Sequence, residues 1–507
     1  MLAQVYAASL SGIEASLVKV EVDVLSRGLP GFSMVGLLET AVKEARDRVG
    51  SAIRNAGFAI PNRKTVVNLS PADIKKSGSH YDLAIAVALL AASGVCRPAS
   101  SLKFLFAGEL SLTGKVVPVS GALIMALAAK EKRLHGVIVP AANAWEASLA
   151  CAGRVIAVES LSEVVSFIND GVAPPAPKSK GEAERSWHTV DLSEVRGQPF
   201  AKRGLEIAAA GGHNIALKGP PGTGKTMLAE RLPTILPPLT EKEAIDVAKI
   251  WSWHGLLRDA CSLPRERPFR APHHSASYAG IIGGGMAGNA RLGEISLAHN
   301  GVLFLDELGE FRRDVIEVLR GPLESGMVRV VRAGVSVTYP ARFQLACAFN
   351  LCPCGLWGHP TRPCTCGIAQ VRRYRTKLSG PLLDRIDLHI EVGPPPHEAL
   401  LEGSVEEPSE QVRRRVYAAR ERQRERNKKG ALNAHLSARE LSRACPLGRE
   451  ERMFLIQAAG HHQLSARAIH RVIKVARTIA DLAGDAEISS AHIAEALQFR
   501  PQMDEIG

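Results

Sequence analysis

Residues 219–226 read Gly-Pro-Pro-Gly-Thr-Gly-Lys-Thr, the spacing G-x-x-x-x-G-K-[ST] of a loop that cradles a nucleoside triphosphate. Gly219, Gly222 and Gly224 let backbone N–H groups turn inward around phosphate oxygens. Lys225 puts a compact positive charge on the β- and γ-phosphates, and Thr226 offers a hydroxyl to Mg²⁺. Pro220, Pro221 and Thr223 complete the loop, and Met227 follows at the nucleotide. About 80 residues later, Val302-Leu303-Phe304-Leu305 runs into Asp306-Glu307. A buried strand ending there delivers Asp306 to the Mg²⁺ shell and Glu307 to the attacking water. Asn350 ends the next apolar run and can orient that water; the alternative is an Asn capping a turn.

A separate cluster, Cys352-Pro353-Cys354 and Cys364-Thr365-Cys366, can close a tetrahedral Zn²⁺ site. His359, between the pairs, is a substitute ligand. Cys347, in an apolar strand, reads as a small core residue.

The elements that position these groups follow from periodicity. Ile215-Ala216-Leu217 is a strand before the loop, and 227–232 opens a helix after it, so a helix N-terminus faces the anion. Strand and helix patterns alternate over 187–400, as in a parallel sheet covered on both faces. The Pro-rich, charged stretch 171–186 reads as a linker, setting apart an N-terminal unit, 1–170. That unit mixes strands at 15–25, 65–69, 104–107 and 137–139 with helices at 39–56 and 81–92. Beyond 400 the chain reads as helices only, starting with a strongly basic one at 411–429. Val328-Arg329-Val330-Val331-Arg332 and Val335-Ser336-Val337-Thr338 flank an Ala-Gly turn, a hairpin signal.

The 507 residues suggest about three domains. With 46 % apolar and 22 % charged residues, the composition is that of a soluble globular protein. A formal net charge of +12 points to a polyanion partner. No signal peptide is visible, and the longest apolar run, 83–92, is too short for a membrane span, so we expect a cytoplasmic protein without a membrane partner. The odd count of nine cysteines agrees with a reducing compartment.

The chain resembles the AAA+ ATPases of the magnesium-chelatase-like group over nearly its whole length. The residues that carry the resemblance are Val195-Arg196-Gly197-Gln198, Phe269-Arg270-Ala271-Pro272-His273-His274-Ser275, Gly293-Glu294-Ile295-Ser296-Leu297-Ala298-His299-Asn300-Gly301 and Ser465-Ala466-Arg467-Ala468-Ile469-His470-Arg471. The resemblance implies ATP and Mg²⁺ as cofactors, a hexameric ring, and a C-terminal all-α lid over 401–507. It implies that Val195 and Gln198 lie at the adenine pocket, that Arg385 is an arginine finger reaching a neighbour's γ-phosphate, and that Arg467 contacts the γ-phosphate from the lid. The same region is similar to helicases of the MCM type. That similarity implies that Arg329 and Arg332, on the hairpin, touch DNA phosphates in a central pore; the alternative is a solvated hairpin. It also implies that 280–288, too flexible for a core element, is a second pore insertion. The run Gly108-Glu109-Leu110-Ser111-Leu112-Thr113-Gly114-Lys115 resembles the Lon-protease-like, ribosomal S5-like α+β fold. The Lon Ser–Lys dyad positions fall near His80 and at 122–125, where neither is matched, so no proteolysis is expected. Lys64, Lys75 and Lys76 are candidates for binding instead.

These readings predict an ATP-driven helicase or branch-migration motor on single-stranded and branched DNA, with recombination proteins as partners, that promotes DNA integration in natural transformation. The rivals are a chelatase-type motor remodelling a protein partner and an ATP-dependent protease-like assembly.

Overall fold

The computed structural model describes residues 1–27, 29–97, 103–150, 153–174, 189–259, 262–284, 291–332, 335–359, 361–378, 380–395, 398 and 406–500. Most of the expected linker, 175–186, lies outside them.

The N-terminal unit is a mixed sheet of seven strands. They are β1 (Leu2–Ser11), β2 (Glu14–Val24), β3 (Gly31–Val35), β4 (Lys64–Ser70), β5 (Phe104–Phe106), β8 (Gly136–Pro140) and β9 (Arg154–Val158). A small ribbon of β6 (Glu109–Leu110) and β7 (Val116–Val117) stands apart. The sheet order is β3-β4-β2-β1-β5-β8-β9. Strand β2 alternates buried and exposed residues along its second half, so one face meets the core. Helix α1 (Thr40–Asn55) buries Val42, Ala45, Val49, Ala52 and Ile53, a single apolar stripe. Helix α2 (Asp82–Ala92) is buried on every side, which its continuous apolar sequence requires. Asp82, the charge in α2, is ion-paired to Arg48 at 2.8 Å.

The two places where a Ser–Lys dyad would fall are core positions. The His80 ring is buried against the Ala8 carbonyl at 2.9 Å, and burial pushes its pKa down to about 4. Residues 122–125 start helix α3 (Ala122–Glu131) and are buried. Lys76 is not a surface lysine: it is fully buried, with its ammonium on the Pro71 carbonyl. Lys75 pairs with Glu39 at 2.5 Å, and Lys64 is exposed.

The central unit is a five-stranded parallel sheet in the order β11-β14-β17-β10-β18. The strands are β10 (Ile215–Lys218), β11 (Phe269–Arg270), β14 (Val302–Leu305), β17 (Gln344–Phe349) and β18 (Leu388–Glu391). Strands β14 and β17 are buried along their whole length, as expected of a sheet covered on both faces. Helices α5 (Pro199–Gly211), α6 (Lys225–Ile235) and α7 (Glu241–His254) pack around it. Helix α7 starts with a complete capping box between Thr240 and Glu243. The hairpin is present as β15 (Met327–Arg332) and β16 (Val335–Pro340), in antiparallel register.

Helix α8 (Tyr278–Ile282) corrects one expectation. Ile281 and Ile282 are buried in the central core, so the start of the Gly-rich insertion is a core element, followed by the pair β12 (Gly283–Gly284) and β13 (Arg291–Leu292). Residues 285–288 lie outside the described residues.

The N-terminal unit rests on the central one. The Gly121 N–H donates to the Ser252 carbonyl of α7 at 3.0 Å, and Ala126 and Ala129 share a core with Ala248 and Leu257.

The C-terminal helices are α10 (Ser409–Arg426), α11 (Ala438–Ala444), α12 (Arg449–His461), α13 (Ala466–Ala483) and α14 (Ser490–Gln498). Helix α10, strongly basic as expected, turns some of its arginines to structural use. Arg420 donates to the Ala209 carbonyl at 2.9 Å, Arg415 pairs with Glu206 at 2.5 Å and Arg426 with Asp481 at 2.6 Å. Arg413, Arg414, Arg422 and Arg424 remain exposed along it.

A buried polar network joins these helices to the sheet. His213 bridges Asp387 at 3.0 Å and the Thr478 hydroxyl at 2.8 Å, and Arg471 reaches Asp387 at 3.4 Å. Burial works against the Asp387 carboxylate, yet His213 and Arg471 hold its pKa below the usual value. Removing one partner strands the others without compensation. We expect Asp387→Ala to lower unfolding stability by about 3 kcal/mol in urea titrations.

Candidate nucleotide-binding site

The site forms where β10, β14 and β17 end side by side. Their C-terminal residues deliver the loop 219–224, the acids 306–307 and Asn350 to one cleft of ≈ 660 Å³. The lining includes Gly222, Lys225, Thr226, Met227, Asp306, Glu307 and Asn350.

The loop turns tightly over the sheet. A Cβ on Gly219 would lie 2.2 Å from the Val392 carbonyl oxygen, so no side chain fits there. Gly224 caps α6 in the left-handed conformation, at φ 86° and ψ 17°. The Thr223 hydroxyl ties the loop to the Pro220 carbonyl at 3.0 Å.

The Lys225 ammonium donates to the carbonyls of Gly219 (2.8 Å) and Pro220 (2.6 Å) and to Asn350 Oδ1 (3.1 Å). Burial pushes its pKa below the ordinary lysine value, while Asp306 works the other way. The Thr226 hydroxyl donates to Asp306 Oδ2 at 2.6 Å. A hydroxyl and a carboxylate oxygen thus converge at the mouth of the loop, the hard-oxygen pair that Mg²⁺ takes alongside phosphate. The residues present fit a magnesium-bound triphosphate.

Glu307 has a left-handed backbone, φ 52° and ψ 48°, rare for a non-glycine residue. This turn aims its carboxylate into the open cleft, where His274 Nδ1 stands 3.2 Å away. A carboxylate so placed can accept a proton from a water in the cleft.

Other expected site residues sit elsewhere. Val195 is buried, and Gln198 Nε2 donates to the Thr223 carbonyl at 2.8 Å, so Gln198 braces the phosphate loop. Neither lines the cleft described above. Arg385 does not line the cleft and pairs with Glu324 at 2.5 Å. Arg467 is exposed on the first turn of α13. Both arginines stand near Arg471. Burial lowers the Arg471 pKa, Asp387 and Asp384 oppose that, and Arg385 and Arg467 add to it. Arg329 is exposed on β15. Arg332 ends that strand, and its side chain lies outside the described residues, as does the turn at 333–334.

The four cysteines come together as expected. The sulfurs of Cys352, Cys354, Cys364 and Cys366 all lie within 4.8 Å of one another. His359 Nδ1 accepts the backbone N–H groups of Thr361 and Arg362, at 3.2 and 3.1 Å. It braces its own turn while four sulfurs complete the set.

Several cleft residues escaped the sequence. Glu310, Phe349, Pro353 and Tyr374 line it, and His274 approaches Glu307 from a loop. The only sequence signal for His274 is its place in the run 269–275, which pointed to a family without pointing to a role.

Comparison with known proteins agrees with this architecture. Residues 191–400 match the family described as magnesium chelatase, subunit ChlI; residues 20–143 match subunit ChlI of Mg-chelatase; residues 406–500 match the ChlI C-terminal family. The chain is 45 % identical over 509 residues to the competence protein ComM of Haemophilus influenzae, covering 98 % of this chain and 97 % of that one. It is 46 % identical over 493 residues to the uncharacterized protein YifB of Escherichia coli, covering 96 % and 95 %. A magnesium-chelatase 67 kDa subunit of Heliobacterium mobile is 29 % identical over 198 residues, 34 % of this chain and 30 % of that one. With near full-length identity well above that seen for the chelatase subunit, and with the phosphate loop, acids and parallel sheet in place, the chain belongs to the magnesium-chelatase-like family of AAA+ ATPases.

Proposed function

We propose that this protein is an ATP-hydrolysing motor that acts on DNA as a hexameric ring in the cytoplasm. Its work would be helicase or branch-migration activity that promotes integration of incoming DNA in natural transformation, together with recombination proteins. The observation that carries the ATPase reading is the convergence of Lys225, the Thr226–Asp306 pair, Glu307 and Asn350 in one cleft. Lys225 and the loop amides hold the phosphates, and Thr226 and Asp306 hold Mg²⁺. Bound there, Mg²⁺ would neutralise charge developing on the β- and γ-phosphates. Glu307 takes the proton of the attacking water, and Asn350 orients it. Arg385 and Arg467 complete γ-phosphate recognition, the first in a neighbour's site. The cysteine knuckle carries a structural zinc on this reading, and the N-terminal unit keeps its Lon-like, non-proteolytic assignment.

Three observations favour DNA as the track: the +12 net charge, the exposed Arg329 on the hairpin, and a full-length relative named as a competence protein. Among the described residues, no helix is long and apolar enough to cross a membrane. The chelatase-type motor is the rival that the family models keep open, but the named chelatase subunit aligns with 34 % of this chain where the competence-protein relative aligns with 98 %.

DNA contact by the hairpin is tested by titrating binding against salt. We expect Arg329→Ala and Arg332→Ala each to weaken binding on all sequences and to lower the salt slope by about 1. An unchanged slope would mean a solvated hairpin that meets no phosphate.

A further inference from the structure

We infer that the four-cysteine knuckle holds a zinc ion that positions the ATP cleft for turnover, so that losing the metal slows hydrolysis while sparing nucleotide binding. The metal site stands on its own geometry; the turnover consequence rests on the ATPase reading.

The donor set is complete and pre-arranged. Cys352 Sγ lies 3.4 Å from Cys354 Sγ and 3.6 Å from Cys364 Sγ, and Cys354 Sγ lies 3.5 Å from Cys364 Sγ. These separations are far beyond a disulfide bond and close to the ~3.8 Å edge of a tetrahedron with Zn–S bonds near ~2.3 Å. Backbone amides already point at the sulfurs: Trp357 N–H to Cys352 at 3.2 Å, Cys354 N–H to Cys366 at 3.4 Å and Cys366 N–H to Cys364 at 3.4 Å. Amide bonds of this kind steady thiolates around a metal.

The stretch that carries them needs such a clamp. Among the described residues between the end of β17 and the start of helix α9 (Ile368–Lys377) there is no helix or strand. A connection this long inside a packed domain requires another source of order. A zinc ion supplies it by closing both ends of the loop on one centre.

The clamp is built into the cleft. Asn350, bonded to Lys225, lies two residues before Cys352. Pro353, between two of the cysteines, lines the cleft. Gly355 has φ 79°, and a Cβ there would stand 2.8 Å from Pro221 of the phosphate loop. On the far side, α9 starts two residues after Cys366 and carries Tyr374 into the cleft wall. Arg375 of α9 sits 5.5 Å over the Trp357 ring. Tyr374 packs on the turn after Glu307, where a Cβ on Gly309 would lie 2.6 Å from its hydroxyl. The knuckle therefore touches the phosphate loop directly, Asn350 through the chain, and the Glu307 turn through Tyr374. The phosphate-holding Lys225 and Thr226 sit on α6, and apart from the Asn350 bond their fixings are the Gly219 and Pro220 carbonyls and Asp306.

The test uses full-length protein purified under reducing conditions. Elemental mass spectrometry should find about one zinc per chain, lost in Cys364→Ser and after treatment with a thiol reagent and chelator. Metal-free protein should turn ATP over at least about tenfold more slowly, with the dissociation constant of a fluorescent ATP analogue within about threefold of wild type. Zinc added back to chelated wild type should restore the rate, which separates positioning from misfolding. Asn350→Ala should copy the slow turnover with its zinc retained. The inference is overturned by reduced wild type without zinc, by disulfides in place of the metal, by unchanged turnover without zinc, or by binding and turnover lost together. If zinc-loaded wild type hydrolyses no ATP, the ATPase reading fails, and hydrogen exchange still decides the clamp. Residues 349–357 and 368–377 should then exchange at least about tenfold faster without metal, and unchanged protection would overturn it.

Discussion

Glu307→Gln should lower steady-state ATP turnover by about a hundredfold or more, the usual worth of a general base, while ATP affinity stays within about threefold. The amide matches the carboxylate in shape but cannot accept the water's proton. Binding survives because the groups that hold phosphate and metal are elsewhere: Lys225 on the loop carbonyls, and Thr226 with Asp306. The backbone at Glu307 is left-handed at φ 52°, and Gln tolerates it no worse, so the turn should persist. Rapid-quench hydrolysis and equilibrium ATP binding separate the two effects. A variant that loses binding together with turnover would place Glu307 in the binding set rather than in the chemistry.

Arg385→Ala should cost about a thousandfold in ring-dependent turnover, the lower end for an arginine finger. The distinctive result comes from mixing. Chains with Lys225→Ala lack a working phosphate loop but carry Arg385; chains with Arg385→Ala have the reverse defect. If the guanidinium acts across a subunit boundary, the two inactive variants together recover measurable hydrolysis. If Arg385 serves its own cleft, the mixture stays dead. In its own chain Arg385 does not line the cleft and pairs with Glu324 at 2.5 Å. A functional arginine must give up that ion pair, in which Glu324 is exposed and Arg385 half-buried.

The nucleotide cleft was legible in sequence because its parts are local: a glycine pattern fixes the loop, and an apolar run fixes where the acids emerge. Asn350 was legible for the same reason, as the end of β17. The remaining cleft residues were not, since Tyr374 arrives on α9 and His274 on a loop, brought in by tertiary folding alone. The basic helix shows what a charge count leaves out. Most of its arginines are exposed, but counting cannot tell that Arg420 caps the Ala209 carbonyl or that Arg426 pairs with the buried Asp481. Likewise the glycines around 280 hid two buried isoleucines, Ile281 and Ile282, that anchor α8. In the N-terminal unit, the expected strand 15–25 and helices 39–56 and 81–92 appear as β2, α1 and α2. Strands β1 and β9 had weaker patterns and were missed; pairing with β2 and β8 orders them.

The central claim is that ATP hydrolysis in this cleft moves DNA. Its most direct test is migration of a labelled three-strand or four-strand junction by purified protein. Wild type should convert the junction only with hydrolysable ATP, and Glu307→Gln should bind the junction without moving it. No conversion by wild type, or undiminished conversion by Glu307→Gln, would contradict the account.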